Sequence, residues 1–149
     1  MKAVFLDVDG VLNDGQNKGE INEENVKRLK EVCKEFDAEV VLYGDYKYMF
    51  NNDMTPKNQE AEEIVEALEA QGIKINKTPN LITKEDVRKK MVGFKRPDEI
   101  YAFLAKNRVT KFSILGNKKL LDKTIAQNQL ILEDGLSDKD IESIKKIMA

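Results

Sequence analysis

The sequence predicts a doubly wound α/β fold: a mostly parallel sheet of about five strands with helices on both faces. Three observations predict it. The chain opens on Ala3-Val4-Phe5-Leu6, a short apolar run that reaches Asp7-Val8-Asp9-Gly10 and reads as a buried strand. A stretch of helical period then leads to a second apolar run over residues 38–43, and strand, helix, strand with short links is the parallel βαβ unit. The same alternation of short apolar runs and amphipathic stretches continues to the C-terminal end.

The elements follow in order. Alternation along a strand that runs through Asp9 places Asp7 and Asp9 on one side of the backbone. Two carboxylates crowded at a buried strand end repel each other, and a divalent cation is the simplest relief. Hard oxygen ligands suit Mg2+. The polar stretch Asn13-Asp14-Gly15-Gln16-Asn17-Lys18-Gly19 is a connector or a cover for that end. Asn22 then caps a helix from about Glu23 to Phe36, with Ile21 stapling onto Val26. Val26, Leu29, Val32, Cys33 and Phe36 form its apolar stripe.

The second strand ends at Tyr43-Gly44-Asp45-Tyr46-Lys47, and Tyr46, Tyr48, Met49 and Phe50 make an aromatic cluster that lines a pocket or tucks against the body of the protein. Thr55-Pro56 reads as a helix start, Ala61, Ile64, Val65 and Leu68 recur at helical spacing, and Gly72 ends the helix. Ile73-Lys74-Ile75 reads as a short strand. Thr83 caps a helix over residues 84–92. Pro97 starts another helix, with Ile100, Phe103 and Leu104 inward, and residues 109–115 form the strand after it. Gly116-Asn117 follows, where a helix around Lys119 would begin. Residues 129–132 make the last strand, and Ser137 caps the last helix.

Composition sets limits. At 149 residues a single domain, 1–149, is expected. The net charge is -2 from 25 basic and 27 acidic residues, so there is no strong nucleic-acid signal and no pull towards an anionic membrane. No apolar run has bilayer length and no signal-peptide pattern precedes the first strand, so a cytoplasmic protein is expected. The lone cysteine fits a reducing compartment and, on the apolar stripe of its helix, reads as core. There is no histidine, which removes Ser-His-Asp and Cys-His chemistry and His-ligated zinc. Carboxylates, Lys/Arg and a metal remain for catalysis.

Asp7-Val8-Asp9-Gly10-Val11-Leu12 resembles the first motif of the haloacid dehalogenase (HAD) superfamily, most of whose members are phosphatases. The resemblance implies a HAD-like Rossmannoid fold, with Asp7 as the nucleophile that becomes an aspartyl-phosphate. It implies Asp9 as general acid/base and Mg2+ as cofactor. The superfamily's second motif is a Ser or Thr at the end of the second strand; here Tyr43 or Gly44 stands there, and the Gly44 N–H is the group left to bind phosphate. Its third motif, a Lys or Arg before a helix, falls on Arg96, with Lys95 as the alternate. Its fourth motif matches Gly116-Asn117 and Asp122, with Asn117 in place of an acid, so the implied metal set is Asp7, Asp9, Asn117 and Asp122.

The inserts are too short for a large cap domain, which points to an open site, linked to a bulky phosphorylated substrate of unknown identity or to recruiting a partner. The resemblance therefore implies a Mg2+-dependent phosphatase. The altered second and fourth motifs carry the alternative, a catalytically weakened domain that binds a ligand or a protein partner.

Overall fold

The computed structural model describes residues 1–14, 20–78, 96–120 and 122–149, with backbone alone at Asp45, Arg96 and Pro97. The described strands are β1 (Lys2–Leu6), β2 (Ala38–Leu42), β3 (Lys111–Gly116) and β4 (Gln129–Ile131). They form one sheet in the order β2-β1-β3-β4, and every pairing is parallel. The helices are α1 (Glu23–Phe36), α2 (Gln59–Ala70), α3 (Arg96–Lys106) and α4 (Asp138–Met148). A 3-10 turn, Asp45–Met49, follows β2.

Strand alternation sorts the core into two layers. Val4, Leu6, Val40, Leu42 and Leu115 face the apolar stripes of α1, α2 and α4. Ala3, Phe5, Val41, Tyr43 and Ile114 face Ile100 and Phe103 of α3. The predicted class therefore holds: a parallel sheet covered on both faces.

Local chemistry sets the helix ends. The Asn22 side chain accepts from the N–H groups of Glu24 and Asn25 at 2.9 and 3.2 Å, and Ser137 with Asp140 closes a capping box.

Three expectations change. The strand at Ile73-Lys74-Ile75 contracts to one parallel bridge, Val40 to Ile75, so four strands rather than about five are found among the described residues. Only Lys74 O and Asn76 N–H reach Val40 before the polar Asn76-Lys77 turns away. Thr55-Pro56 does not open a helix. The Asp53 carboxylate takes both the Thr55 hydroxyl and its N–H, Pro56 bridges to Phe50, and Asn58 caps α2 instead. The first strand stops at Leu6, so alternation does not extend through Asp9. The helix expected over residues 84–92 lies outside the described residues.

Topology places the site. The chain leaves β1 towards β2 on one side, then returns to build β3 and β4 on the other. Connections diverge at the C-terminal ends of β1 and β3, the crevice where open parallel sheets bind ligands. Asp7 follows β1 there, and Asn117 follows β3.

Candidate active site

Asp7 extends the sheet by one hydrogen bond: its N–H donates to Leu115 O at 2.9 Å, and the residue is only 5% exposed. The chain then curls. Val8 O accepts from Val11 and Leu12 N–H at 3.2 and 2.9 Å, which turns the backbone over the sheet edge. Gly10 makes this curl with φ +82, a region L side chains rarely enter. A Cβ there would lie 2.5 Å from Leu132 O and 2.9 Å from Asn117 Cβ. The first-motif loop is thus seated directly against Asn117 and the chain leaving β4.

The same curl delivers Asp9. Gly10 N–H donates to Asn13 Oδ1 at 2.9 Å, and Asn13 Nδ2 donates to Asp9 Oδ1 at 3.1 Å. From the 3-10 turn after β2, the Tyr46 hydroxyl donates to the same Asp9 Oδ1 at 2.9 Å. Burial, and then the Asp9 carboxylate, push the Tyr46 phenol well above its ordinary value, so it is a protonated donor at neutral pH.

The end of β2 is also arranged. Tyr43 is 2% exposed and belongs to the core under α3. Its hydroxyl makes a long contact of 3.4 Å with Leu115 O and fills the space beside Gly116. Gly44, at φ +80, donates its N–H to Glu99 Oε2 of α3 at 3.1 Å. Lys47 is buried and shares that neighbourhood. Burial holds its ammonium below the ordinary lysine value, and the negative charge of Glu99 partly offsets this.

A family model described as the HAD domain in Swiss Army Knife RNA repair proteins matches residues 3–141. The chain belongs to this family. No curated protein and no solved structure matches it. It is therefore a HAD-like hydrolase domain, and the superfamily's motifs can be located on it in space.

The first motif, Asp7 and Asp9, stands at the crevice. At the second-motif position the Gly44 N–H already serves Glu99, and the Tyr43 hydroxyl reaches Leu115 O. Arg96 opens α3, whose first turn meets the C-terminal edge of the sheet, because Glu99 reaches Gly44 from it. Lys95 and the Arg96 side chain lie outside the described residues.

Of the fourth-motif pair, Asn117 is beside Gly10. Asp122 is anchored to α3: its Oδ1 accepts from Tyr101 OH at 2.8 Å and from Thr124 N–H at 2.9 Å. The Tyr101 hydroxyl holds that carboxyl below the usual range. No helix forms around Lys119 among the described residues. Gln129 instead holds the segment, accepting from Leu120 N–H and donating to Lys118 O.

HAD proteins typically use Mg2+. Among the described residues no group of three or more Asp, Glu, Cys or His is gathered tightly enough to hold an ion by itself. The residues at the crevice still fit the group: Asp7, Asp9 and Asn117 bring only oxygen donors. Mg2+ is commonly bound through one or two carboxylates, with water and substrate phosphate completing the shell.

Four residues of the site escape sequence reasoning: Asn13, Tyr46, Lys47 and Glu99. Asn13 has one signal, its place in the polar stretch that connects or covers this end of the sheet. Tyr46 lies in the aromatic cluster read as pocket-lining or packed, with nothing that points to Asp9, and Lys47 and Glu99 are two among 25 basic and 27 acidic residues.

Proposed function

We propose that this chain is a Mg2+-dependent phosphohydrolase that works through an aspartyl-phosphate, and that its substrate is a phosphorylated RNA end. The observation that carries the chemistry is Asp7 buried at the switch point of the sheet, with Asp9 held two residues on by donors from two elements. The RNA reading rests on the description of the family. Inserts too short in sequence for a large cap domain suit a site that takes the end of a polymer.

In this mechanism an Asp7 carboxylate oxygen attacks phosphorus, and the bond from phosphorus to the leaving oxygen breaks. Asp9 gives its proton to that oxygen. Asp9 then takes a proton from water as the water attacks the same phosphorus, and the bond to Asp7 breaks, restoring the carboxylate. Arg96, with Lys95 as alternate, offsets the phosphoryl charge, and Lys47 adds positive charge from the β2 side. Asp7, Asp9 through its backbone carbonyl, and Asn117 would hold Mg2+, which would offset the charge between the attacking carboxylate and the phosphate.

The test is phosphate release from a 3′- or 5′-phosphorylated oligoribonucleotide, with and without Mg2+, by the wild type and by Asp7→Asn. Wild-type turnover that Asp7→Asn abolishes supports the reading; an Asp7→Asn protein as fast as wild type defeats it. A second reading, a binding module with lost chemistry, draws on the Asn at 117 and on the Gly44 N–H being bonded to Glu99. It predicts no Mg2+-dependent turnover by the wild type.

A further inference from the structure

We infer that Tyr46 and Asn13 are positioning residues for Asp9: their two bonds to Oδ1 set the orientation in which the carboxyl group meets the leaving group. The inference rests on the phosphohydrolase reading above and assigns parts of the site that the family motifs do not contain.

The amide of Asn13 settles the direction of the first bond. Gly10 N–H can only donate, so the Asn13 atom facing it at 2.9 Å is the carbonyl oxygen. The atom facing Asp9 at 3.1 Å is therefore the NH2 group, which can only donate. Asp9 Oδ1 is thereby an acceptor, and the Tyr46 hydroxyl supplies a second donor to it at 2.9 Å. The phenol is 6% exposed and set in the ordered turn Asp45–Met49. Glu60, near the start of α2, is the other acid that faces it, and the single phenolic proton points to Asp9 in the 2.9 Å contact.

The two donors reach Asp9 from different parts of the chain. Asn13 approaches Asp9 from the first-motif loop, and Tyr46 arrives 37 residues later from the end of β2. The turn after β2 is where the superfamily keeps its phosphate-binding hydroxyl. Here that turn offers a hydroxyl two residues beyond Gly44, and it is directed to the acid rather than to the phosphate. Two donors on one oxygen, arriving from two elements, restrict the rotation of the carboxyl group and hold it in one orientation.

Leaving-group dependence reads this role, because an alkoxide must be protonated to leave and a nitrophenolate need not be. kcat/KM is measured for glycerol 2-phosphate and for p-nitrophenyl phosphate with wild type, Tyr46→Phe, Asn13→Asp and Asp9→Asn. Tyr46→Phe removes one oxygen and keeps the ring, and thermal melts verify that each variant is folded.

Tyr46→Phe is expected to lower the alkyl value by about tenfold or more, and the aryl value by about twofold or less, since a positioned acid supplies roughly 10²–10⁴-fold. Asn13→Asp, which keeps the acceptor for Gly10 but loses the donor to Asp9, is expected to split the two substrates in the same sense and serves if Tyr46→Phe does not fold. Should Asp9→Asn split the substrates while Tyr46→Phe and Asn13→Asp lower both equally or neither, the positioning role is overturned and the phosphohydrolase reading stands. Should Asp9→Asn itself fail to split them, the acid assignment falls and the positioning role with it.

Discussion

Gly116→Ala tests the packing that brings the end of β3 against Asp7. Gly116 has no positive φ, so the effect is steric alone. A Cβ built there lies 2.5 Å from the Tyr43 hydroxyl oxygen, 3.4 Å from Asp7 Cβ and 3.7 Å from Tyr43 Cζ. The hydroxyl is thus several tenths of an ångström too close, while the other two contacts are near ordinary. Tyr43 is 2% exposed, so its ring has no open side to move into.

Overpacking of this kind costs about 1–3 kcal/mol, and the lower backbone entropy of an unfolded alanine returns about 0.4–1 kcal/mol. The net expectation is a loss of about 1–2 kcal/mol, well inside the 5–15 kcal/mol of a typical domain, so the variant folds. Tyr43→Phe deletes the clashing atom. In that background the added methyl meets nothing closer than Asp7 Cβ, and Gly116→Ala is expected to cost under about 0.5 kcal/mol, a coupling of about 1–2 kcal/mol. Urea denaturation midpoints of the four proteins, at an unchanged m-value, measure it. Additive losses refute the argument, because they show that the Tyr43 hydroxyl does not occupy the space that glycine leaves.

Two further predictions concern the metal shell and the core. Asn117→Asp adds a charged oxygen to the donor set beside the first motif and is expected to tighten Mg2+ binding by about tenfold in calorimetric titration; an unchanged affinity removes Asn117 from the shell. Cys33 lies on the buried stripe of α1, and burial pushes its thiol from 9.0 up to about 12. The folded state therefore keeps a proton that the unfolded chain releases first, so stability falls as pH rises from about 9 to 12, by roughly 4 kcal/mol at most at 1.36 kcal/mol per unit. Cys33→Ala removes that alkaline loss, and a native thiol that a disulfide reagent labels faster than the protein unfolds contradicts the burial.

What the sequence reveals and hides divides along distance in the chain. α1 is legible because its stripe, its cap at Asn22 and its two flanking strands are all local signals. The position of Asp7 and Asn117 just beyond the C-terminal ends of β1 and β3 is legible because two strand ends and one crossover dictate it. The start of α2 is misread because the Asp53 carboxylate, two residues before Thr55, competes for the cap and wins. The surroundings of Asp9 are not legible. The strand ends at Leu6, and a curl around Gly10 brings the Asp9 side chain to Tyr46, a contact that strand alternation cannot foresee.

Position by position, Tyr43 and Gly44 look like a motif that has lost its hydroxyl. In space, the same turn carries Tyr46 to Asp9 and places Lys47 near Glu99. A departure from a motif at one position therefore does not measure how much of a site is gone. Tyr46 and Lys47 sit on another element from Asp9 and Glu99, where spacing along the chain gives no sign of the contacts they make.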